Sequence, residues 1–316
     1  IENTKISDIS FLKNLKKLKY LELKSCNVAD ITALKDLTEL KYLKLENCNI
    51  ADISFLKNLK KLRYLELENC NITDITALKD LTELKCLDLE GNPSLKDITP
   101  VLNLKNLEIL KISNCGIKVL PDINSLSNLT DFNIEAVNKE GTEVDITNIS
   151  KLKKLRYLNV SKCKIKNLES IIDMNRLYGL NLKSCNITNF EFLKNFKNLI
   201  YIDVGDNNIS NLKNVIDNLA QCENLKQLNI ENNQISDIRY ITVFPELSFI
   251  DIHGNPVENI SVLLAKKGLI LIGIKKEQYK DSEVLKTLEE MKKNKIVIYI
   301  EEYVSMQGEN NNQDEI

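Results

Sequence analysis

The chain has 316 residues, with 43 Lys and Arg against 45 Asp and Glu and a formal net charge of −2. So balanced a charge gives no electrostatic ground for a nucleic-acid or anionic-membrane partner, and no apolar run approaches the ~20 residues that a membrane-spanning helix needs. Apolar residues make up 43% and charged residues 28%, enough to build a core, while 9 Gly and 5 Pro leave little for linkers.

The chain is periodic from its first residues. The opening, IENTKISDIS, does not read as a signal peptide. It is the second half of a unit, with Ile1 standing where Leu23 stands in the next, so the natural protein is expected to extend upstream, into a cap, a targeting signal or a second domain. The pattern leucine, two residues, leucine, one residue, leucine, two residues, Cys or Asn then begins at Leu18, Leu40, Leu62, Leu84, Leu107, Leu129, Leu155, Leu177, Leu199, Leu225 and Leu247. Most steps are 22 residues, one is 23 and two are 26. Such a period marks a stacked repeat architecture. The stretch ITALKDLTEL at 31–40 recurs verbatim at 75–84, and ISFLKNLKKL occurs at 9–18 and 53–62. Identity among these early units therefore reflects duplication of a 44-residue pair as readily as selection on a surface.

Each unit divides in two. YLELK at 20–24 alternates, which predicts a short strand with Leu21 and Leu23 inward and Tyr20, Glu22 and Lys24 outward. DITALKDLTEL at 30–40 places Ile31, Leu34, Leu37 and Leu40 three apart, a spacing closer to a 3₁₀-like turn than to an α-helix. An Asx residue opens this half almost every time: Asp8, Asp30, Asp52, Asp74, Asp97, Asp145, Asn167, Asn189, Asn211, Asp237 and Asn259, with Val119 the exception. Its side chain is expected to cap the N–H groups of the turn.

Two units are four residues longer than the norm. One contains the polar segment NKEGTEV at 138–144, expected to protrude at the sheet edge as either a partner contact or a tolerated insertion. The other, around 211–225, has helical spacing at Leu212, Val215, Ile216 and Leu219 and predicts a true helix on the convex side. The array is expected over residues 1–260, as eleven full units and a partial first one. Beyond it, a strand at 269–274, a helix at 281–294 and a strand at 295–304 should form a C-terminal α/β cap over 261–304. The polar tail at 305–316 reads as disordered.

Cys26, Cys48, Cys70, Cys115, Cys163 and Cys185 share one frame position with Asn92, Asn207, Asn233 and Asn255. The position follows the strand, where the chain turns inward, so these side chains are assigned a structural role against backbone groups of the turn. Zinc sites need ligands converging on a point, whereas these thiols form a line. Neighbouring strands about 4.8 Å apart also overshoot the Cβ–Cβ distance of about 3.8 Å in a disulfide. Cys86 and Cys222 lie outside the frame, and Cys86 is expected to face solvent. Eight unpaired thiols favour a cytoplasmic or otherwise reducing compartment.

With its LxxLxLxxCxIxDIxxLxxL unit, the chain resembles the leucine-rich repeat family, specifically the bacterial 22-residue, internalin-like type. The departure is Cys where internalins usually carry Asn. The resemblance implies a right-handed solenoid of α/β repeat class, with a parallel concave β-sheet and a 3₁₀ or short-helical convex side. It also implies a non-catalytic protein-interaction module, as in bacterial adhesion proteins, and allows a secreted or cell-surface location.

The residues themselves show no nucleophile motif, phosphate loop or metal-ligand spacing. No catalytic residue, metal ligand or cofactor is assigned. The lone histidine, His253, is expected at an exposed outward position of the last regular strand. The outward column preceding the second motif leucine is rich in rings: Tyr20, Tyr42, Tyr64, Tyr157, Tyr201 and Phe249. With the neighbouring Glu22, Glu66, Glu68 and Asp88 they form the expected contact surface for a protein partner bearing a basic patch. Aromatic residues also suit strands for their own sake. The competing readings are a cytoplasmic adaptor or secreted effector, and a rigid spacer presenting an upstream domain.

Overall fold

A computed structural model describes residues 8–26, 28, 30–137, 143–275 and 282–301. Fifteen strands occur among them: β1 (Tyr20–Lys24), β2 (Tyr42–Glu46), β3 (Tyr64–Glu68), β4 (Cys86–Asp88), β5 (Ile109–Lys111), β6 (Asp131–Asn133), β7 (Val144–Asp145), β8 (Tyr157–Asn159), β9 (Ile165–Lys166), β10 (Gly179–Asn181), β11 (Tyr201–Asp203), β12 (Gln227–Asn229), β13 (Phe249–Asp251), β14 (Leu271–Lys275) and β15 (Val297–Glu301). Thirteen of them, all but β7 and β9, form one parallel sheet in chain order. The short β7 and β9 pair with each other as a second, two-stranded sheet.

The register advances by one repeat per strand, Leu21 opposite Leu43 opposite Leu65 and Leu23 opposite Leu45 opposite Leu67. Each inward leucine therefore packs on its counterpart from the next unit, and Leu43, Leu45, Leu65 and Leu67 are fully buried. No unit could bury these side chains alone; stacking supplies the burial, worth roughly 1.5–3 kcal/mol per side chain.

The three-residue leucine spacing becomes a chain of short hydrogen bonds. The Leu56 N–H donates to Ile53 O at 3.0 Å, Leu59 to Leu56 O at 2.9 Å and Leu62 to Leu59 O at 3.1 Å. That i→i+3 pattern is 3₁₀ geometry, and ten such segments occur among the described residues. Among the described residues the array has one α-helix, α1 (Leu212–Leu219), which lies in a long unit with Leu212, Val215, Ile216 and Leu219 buried. The Asx column caps the turns: Asp52 Oδ1 accepts from Ser54 N at 2.8 Å and Asn189 Oδ1 from Glu191 N at 2.9 Å. In the unit broken by Val119, Asp122 takes over, accepting from Asn124 N at 3.0 Å.

One column went unread in the sequence. Ser25, Asn47, Asn69, Gly91, Asn114, Ala136, Lys162, Ser184, Asp206, Asn232 and Gly254, each one residue before the Cys/Asn position, have left-handed backbones with φ from 47° to 73°. This is where the chain leaves the sheet and turns into the core. Asn, Gly and Asp tolerate the conformation best.

The C-terminal segment continues the same sheet. Strand β14 pairs with β13 through Leu271 opposite Phe249, and β15 pairs with β14. Helix α2 (Ser282–Lys293) connects them, burying Val284, Leu288 and Met291. Residue 260 is therefore not marked by a break in strand pairing.

Candidate functional site

The parallel register aligns the outward ring column as Tyr20, Tyr42, Tyr64, Cys86, Ile109, Asp131, Tyr157, Gly179, Tyr201, Gln227 and Phe249. It holds two groups of rings. In the first, centroids are 6.4 Å apart for Tyr20–Tyr42 and 6.3 Å for Tyr42–Tyr64, with tilts of 32° and 40°, within the favourable range for aromatic pairs. Tyr20 is 68% exposed and Tyr64 44%, with Tyr42 half-buried between them. Cys86, Ile109 and Asp131 then interrupt the rings. In the second group Tyr157, Tyr201 and Phe249 are half-buried on alternate strands. Tyr157 leans over Gly179, where a Cβ would stand 2.6 Å from its Cδ2. The Tyr42 hydroxyl donates to Glu66 Oε1 at 3.2 Å and Tyr201 to Asp203 Oδ2 at 3.3 Å. Burial, reinforced by Glu66, pushes the Tyr42 hydroxyl up to about 12.

The carboxylates beside the rings are drawn into ion pairs with lysines of the same face. Lys44 lies between Glu22 and Glu66 in the register. Its Nζ is 2.7 Å from Glu66, 3.2 Å from Glu68 and 3.3 Å from Glu46. Burial opposes the Lys44 charge, but Glu66 and Glu68 outweigh it and raise its pKa. Lys24 reaches Glu46 at 3.2 Å. Asp88 corrects an expectation. It is 1% exposed and paired with Lys111 at 2.8 Å, so it offers a partner almost no surface. Glu22 is exposed, and Glu66 and Glu68 are partly so. Burial, then Asp88 and Glu68, holds the nearby Glu90 carboxyl above the usual range.

A polar cluster at the C-terminal end of the face escaped the sequence reading altogether. His253 is on the concave side, but it is 4% exposed rather than solvated. Its Nδ1 lies 2.6 Å from Asp251 Oδ1 and its Nε2 3.2 Å from Glu231 Oε2. Lys183 binds the other oxygen of Glu231, and reaches Asp206 at 3.5 Å. Burial pushes the Asp203 carboxyl up to about 6, against the opposing hydrogen bond from the Gly205 N–H. The available signal was the period itself: Glu231 and His253 occupy the same frame position one 22-residue step apart.

The six in-frame cysteines are buried, and their thiols donate to backbone carbonyls at the turn. Cys48 Sγ is 3.4 Å from Glu46 O, Cys115 Sγ 3.2 Å from Leu89 O and Cys163 Sγ 3.2 Å from Ile134 O; Cys26, Cys70 and Cys185 make similar contacts. The amides in the column do more. Asn92 accepts from Cys70 N and Ile72 N, and donates to Leu67 O and Leu89 O. Asn207, Asn233 and Asn255 likewise bond carbonyls of their own and the preceding unit. Cys86 corrects an expectation: it is 9% exposed, and burial pushes its thiol up to about 11. The insertion proposed at 138–144 falls mostly outside the described residues.

No helix among the described residues is long and apolar enough to cross a membrane. The chain is similar to an internalin, InlF, of Listeria monocytogenes at 25% identity, covering 96% of this chain and 82% of that one with a TM-score of 0.61. A leucine-rich repeat protein of Leptospira interrogans shares the fold at 22% identity, 83% and 68% coverage and a TM-score of 0.69. So does the functional domain of InlJ from Listeria monocytogenes, which includes a cysteine ladder, at 19% identity, 87% and 67% coverage and a TM-score of 0.54. No curated protein matches the chain. Residues 25–267 match the leucine-rich repeat region family, and with more than half of its length so matched the chain belongs to the leucine-rich repeat family, in an internalin-like form.

Proposed function

We propose that this chain is a non-catalytic recognition module that binds a protein partner across its concave sheet. The observation that carries the reading is the ring row Tyr20–Tyr42–Tyr64, stacked at 6.4 and 6.3 Å and exposed at both ends. Tyrosine presents a large amphipathic area with little rotamer entropy to lose, which suits it to protein interfaces. Family proteins are generally interaction modules without catalysis, and the InlF likeness extends over nearly the whole chain.

The ion pairs refine the expected partner. Lys24, Lys44 and Lys111 neutralise part of the acidic surface, while Glu22 stays exposed and Glu66 and Glu68 partly exposed beside the rings. A basic patch on the partner fits this residual negative field, so association slows as salt rises. The cysteine column acts as an internal ladder holding the turns behind this face, not as part of the contact.

The test uses a partner captured by the full chain. Replacing Tyr20, Tyr42 and Tyr64 together by Ala is expected to lower affinity at least a hundredfold with circular dichroism unchanged. Unchanged affinity in a folded triple variant removes the tyrosine row from the interface.

A further inference from the structure

We propose that an edge groove formed by Lys154, Arg156 and Arg176, with Tyr178 and Ile200 beside it, docks an acidic, extended segment of the protein partner. The inference rests on the reading of the chain as a protein-binding module, but not on the tyrosine row. Three residues ahead of the ring column, Asn106, Asn128 and Asn198 tie their units to the preceding ones. They donate to Thr82 O at 2.8 Å, Lys105 O at 2.9 Å and Asn175 O at 2.7 Å. In the two units between Asn128 and Asn198, Lys154 and Arg176 replace that amide. Cations thus stand at two successive places where neighbouring units keep a structural asparagine, and Arg156 adds a third, two residues after Lys154.

Two grooves adjoin along this edge and differ in charge. The first, of about 630 Å³, is internally neutralised: Arg63 pairs with Glu83 at 3.4 Å and Lys85 with Glu108 at 2.7 Å. The second, of about 430 Å³, is lined by Thr130, Lys154, Arg156, Arg176 and Asn198, without a carboxylate. Lys154 reaches Asn128 Oδ1 at 2.6 Å, a neutral acceptor. Among the described residues none of the three cations is paired with a carboxylate. The Asp131 carboxylate nearby accepts from the Thr130 hydroxyl at 2.6 Å. Like charges on neighbouring strands repel, so an anionic occupant relieves what folding alone leaves uncompensated.

The spacing favours a peptide carrying carboxylates. The cations come from adjacent units, since β8 pairs with β10 and β10 with β11. Stacked strands lie about 4.8 Å apart, and alternate side chains of an extended segment about 6.6 Å apart on one face. Two acids separated by one residue therefore reach both cationic units. An apolar side chain two residues further on meets Tyr178 and Ile200, each 39% exposed. The arginines are exposed, and their planar forks match carboxylates bidentately. A bare polyanion has no use for the Tyr178–Ile200 pair, which is the feature that selects a peptide. A partner meeting this groove and the acidic tyrosine face carries an acidic segment and a basic patch in fixed order along the solenoid.

The probe is a phage-displayed library of random dodecapeptides panned on the full chain, with enriched peptides then synthesised and measured by fluorescence anisotropy. The expected peptides carry Asp or Glu at alternate positions followed by Leu, Ile or Phe. Arg156→Glu with Arg176→Glu is expected to weaken them about a hundredfold, and Tyr178→Ser with Ile200→Ser about tenfold. All four replaced side chains are exposed, and circular dichroism checks that the variants fold. Replacing Tyr20, Tyr42 and Tyr64 by Ala should leave these peptides bound as before, which separates this groove from the tyrosine row. Selection without acidic enrichment overturns the proposal, as does binding that survives the charge reversal. If inorganic tripolyphosphate displaces the peptides at equal charge while the Tyr178 and Ile200 variant binds them normally, the groove takes polyanions as such and the peptide assignment is overturned.

Discussion

Asn92 Oδ1 accepts a hydrogen bond from the Cys70 backbone N–H at 3.1 Å, and a second from Ile72 at 2.9 Å. One side chain thus satisfies two buried donors of the preceding turn. A thiol in the same column donates to carbonyls but is a poor acceptor. In the early units the backbone compensates: the Ile50 N–H reaches Cys48 O at 2.8 Å and Cys70 O at 3.2 Å. Replacing Asn92 by Cys is therefore expected to leave N–H groups of the Cys70 turn without their acceptor. The expected loss is about 1–3 kcal/mol, read from urea denaturation at constant m.

The left-handed column supplies a test with the opposite sign. Ala136 sits at φ 47°, where a Cβ is crowded, while Gly91 and Gly254 occupy equivalent positions at no steric cost. Ala136→Gly is expected to stabilise the protein by about 0.5–1 kcal/mol despite the greater freedom of glycine in the unfolded chain. Gly91→Ala should destabilise it, since its Cβ would also collide with the Asn69 side chain. Thermal melts of the two variants should move in opposite directions.

All eight cysteines are free and buried. Burial pushes Cys70, Cys115, Cys185 and Cys222 up to about 12 and Cys86 up to about 11. Because the thiolate is the reactive form, a disulfide reagent at pH 8 should label almost no thiol in the native chain and all eight in denaturant. Folding favours the neutral thiol, so this contribution is full below the unfolded value near 9 and is lost as pH rises towards the folded values. Stability should accordingly fall above pH 9. Rapid labelling of Cys86 in the native state would show that its strand is open.

Much of this architecture was legible because a 22-residue period fixes register, and register fixes which side chains share a column. Leu65 and Tyr64 could be placed from spacing alone. Their surroundings could not. Asp88 reads as one more outward acid until Lys111, from the following strand, covers it. Cys86 and His253 follow the outward alternation correctly, yet neighbouring side chains bury both. Column membership is a backbone property that survives in sequence, whereas exposure depends on the sizes and charges of side chains one unit away. The Glu231–His253 contact falls between these cases: the shared column is legible in the period, but the contact depends on Asp251, which holds the ring from its other nitrogen.

The Asx column gives a pH prediction with controls built into the chain. Asp52 Oδ1 accepts from the Ser54 N–H at 2.8 Å, and this bond holds its carboxyl below the usual range. Thr32 lowers Asp30, Thr76 lowers Asp74 and Thr147 lowers Asp145 in the same way. A folded pKa below the unfolded value contributes stability that is present above about 3.8 and is lost as pH falls through the folded value. Several units share the device, so the chain should lose stability steeply below pH 4. Asn189 and Asn259 make the same cap without a titrating group, accepting from Glu191 N at 2.9 Å and Ser261 N at 2.8 Å. Changing Asp30, Asp52, Asp74 and Asp145 together to Asn should therefore preserve the fold at pH 7 and flatten the acid limb of the stability profile. The corresponding quadruple Ala variant should lose stability at pH 7 itself, since each turn then has an uncapped N–H. If the Asn and Asp proteins instead show the same acid limb, the caps are not the source of the pH dependence, and the ion pairs around Lys44 become the groups to mutate.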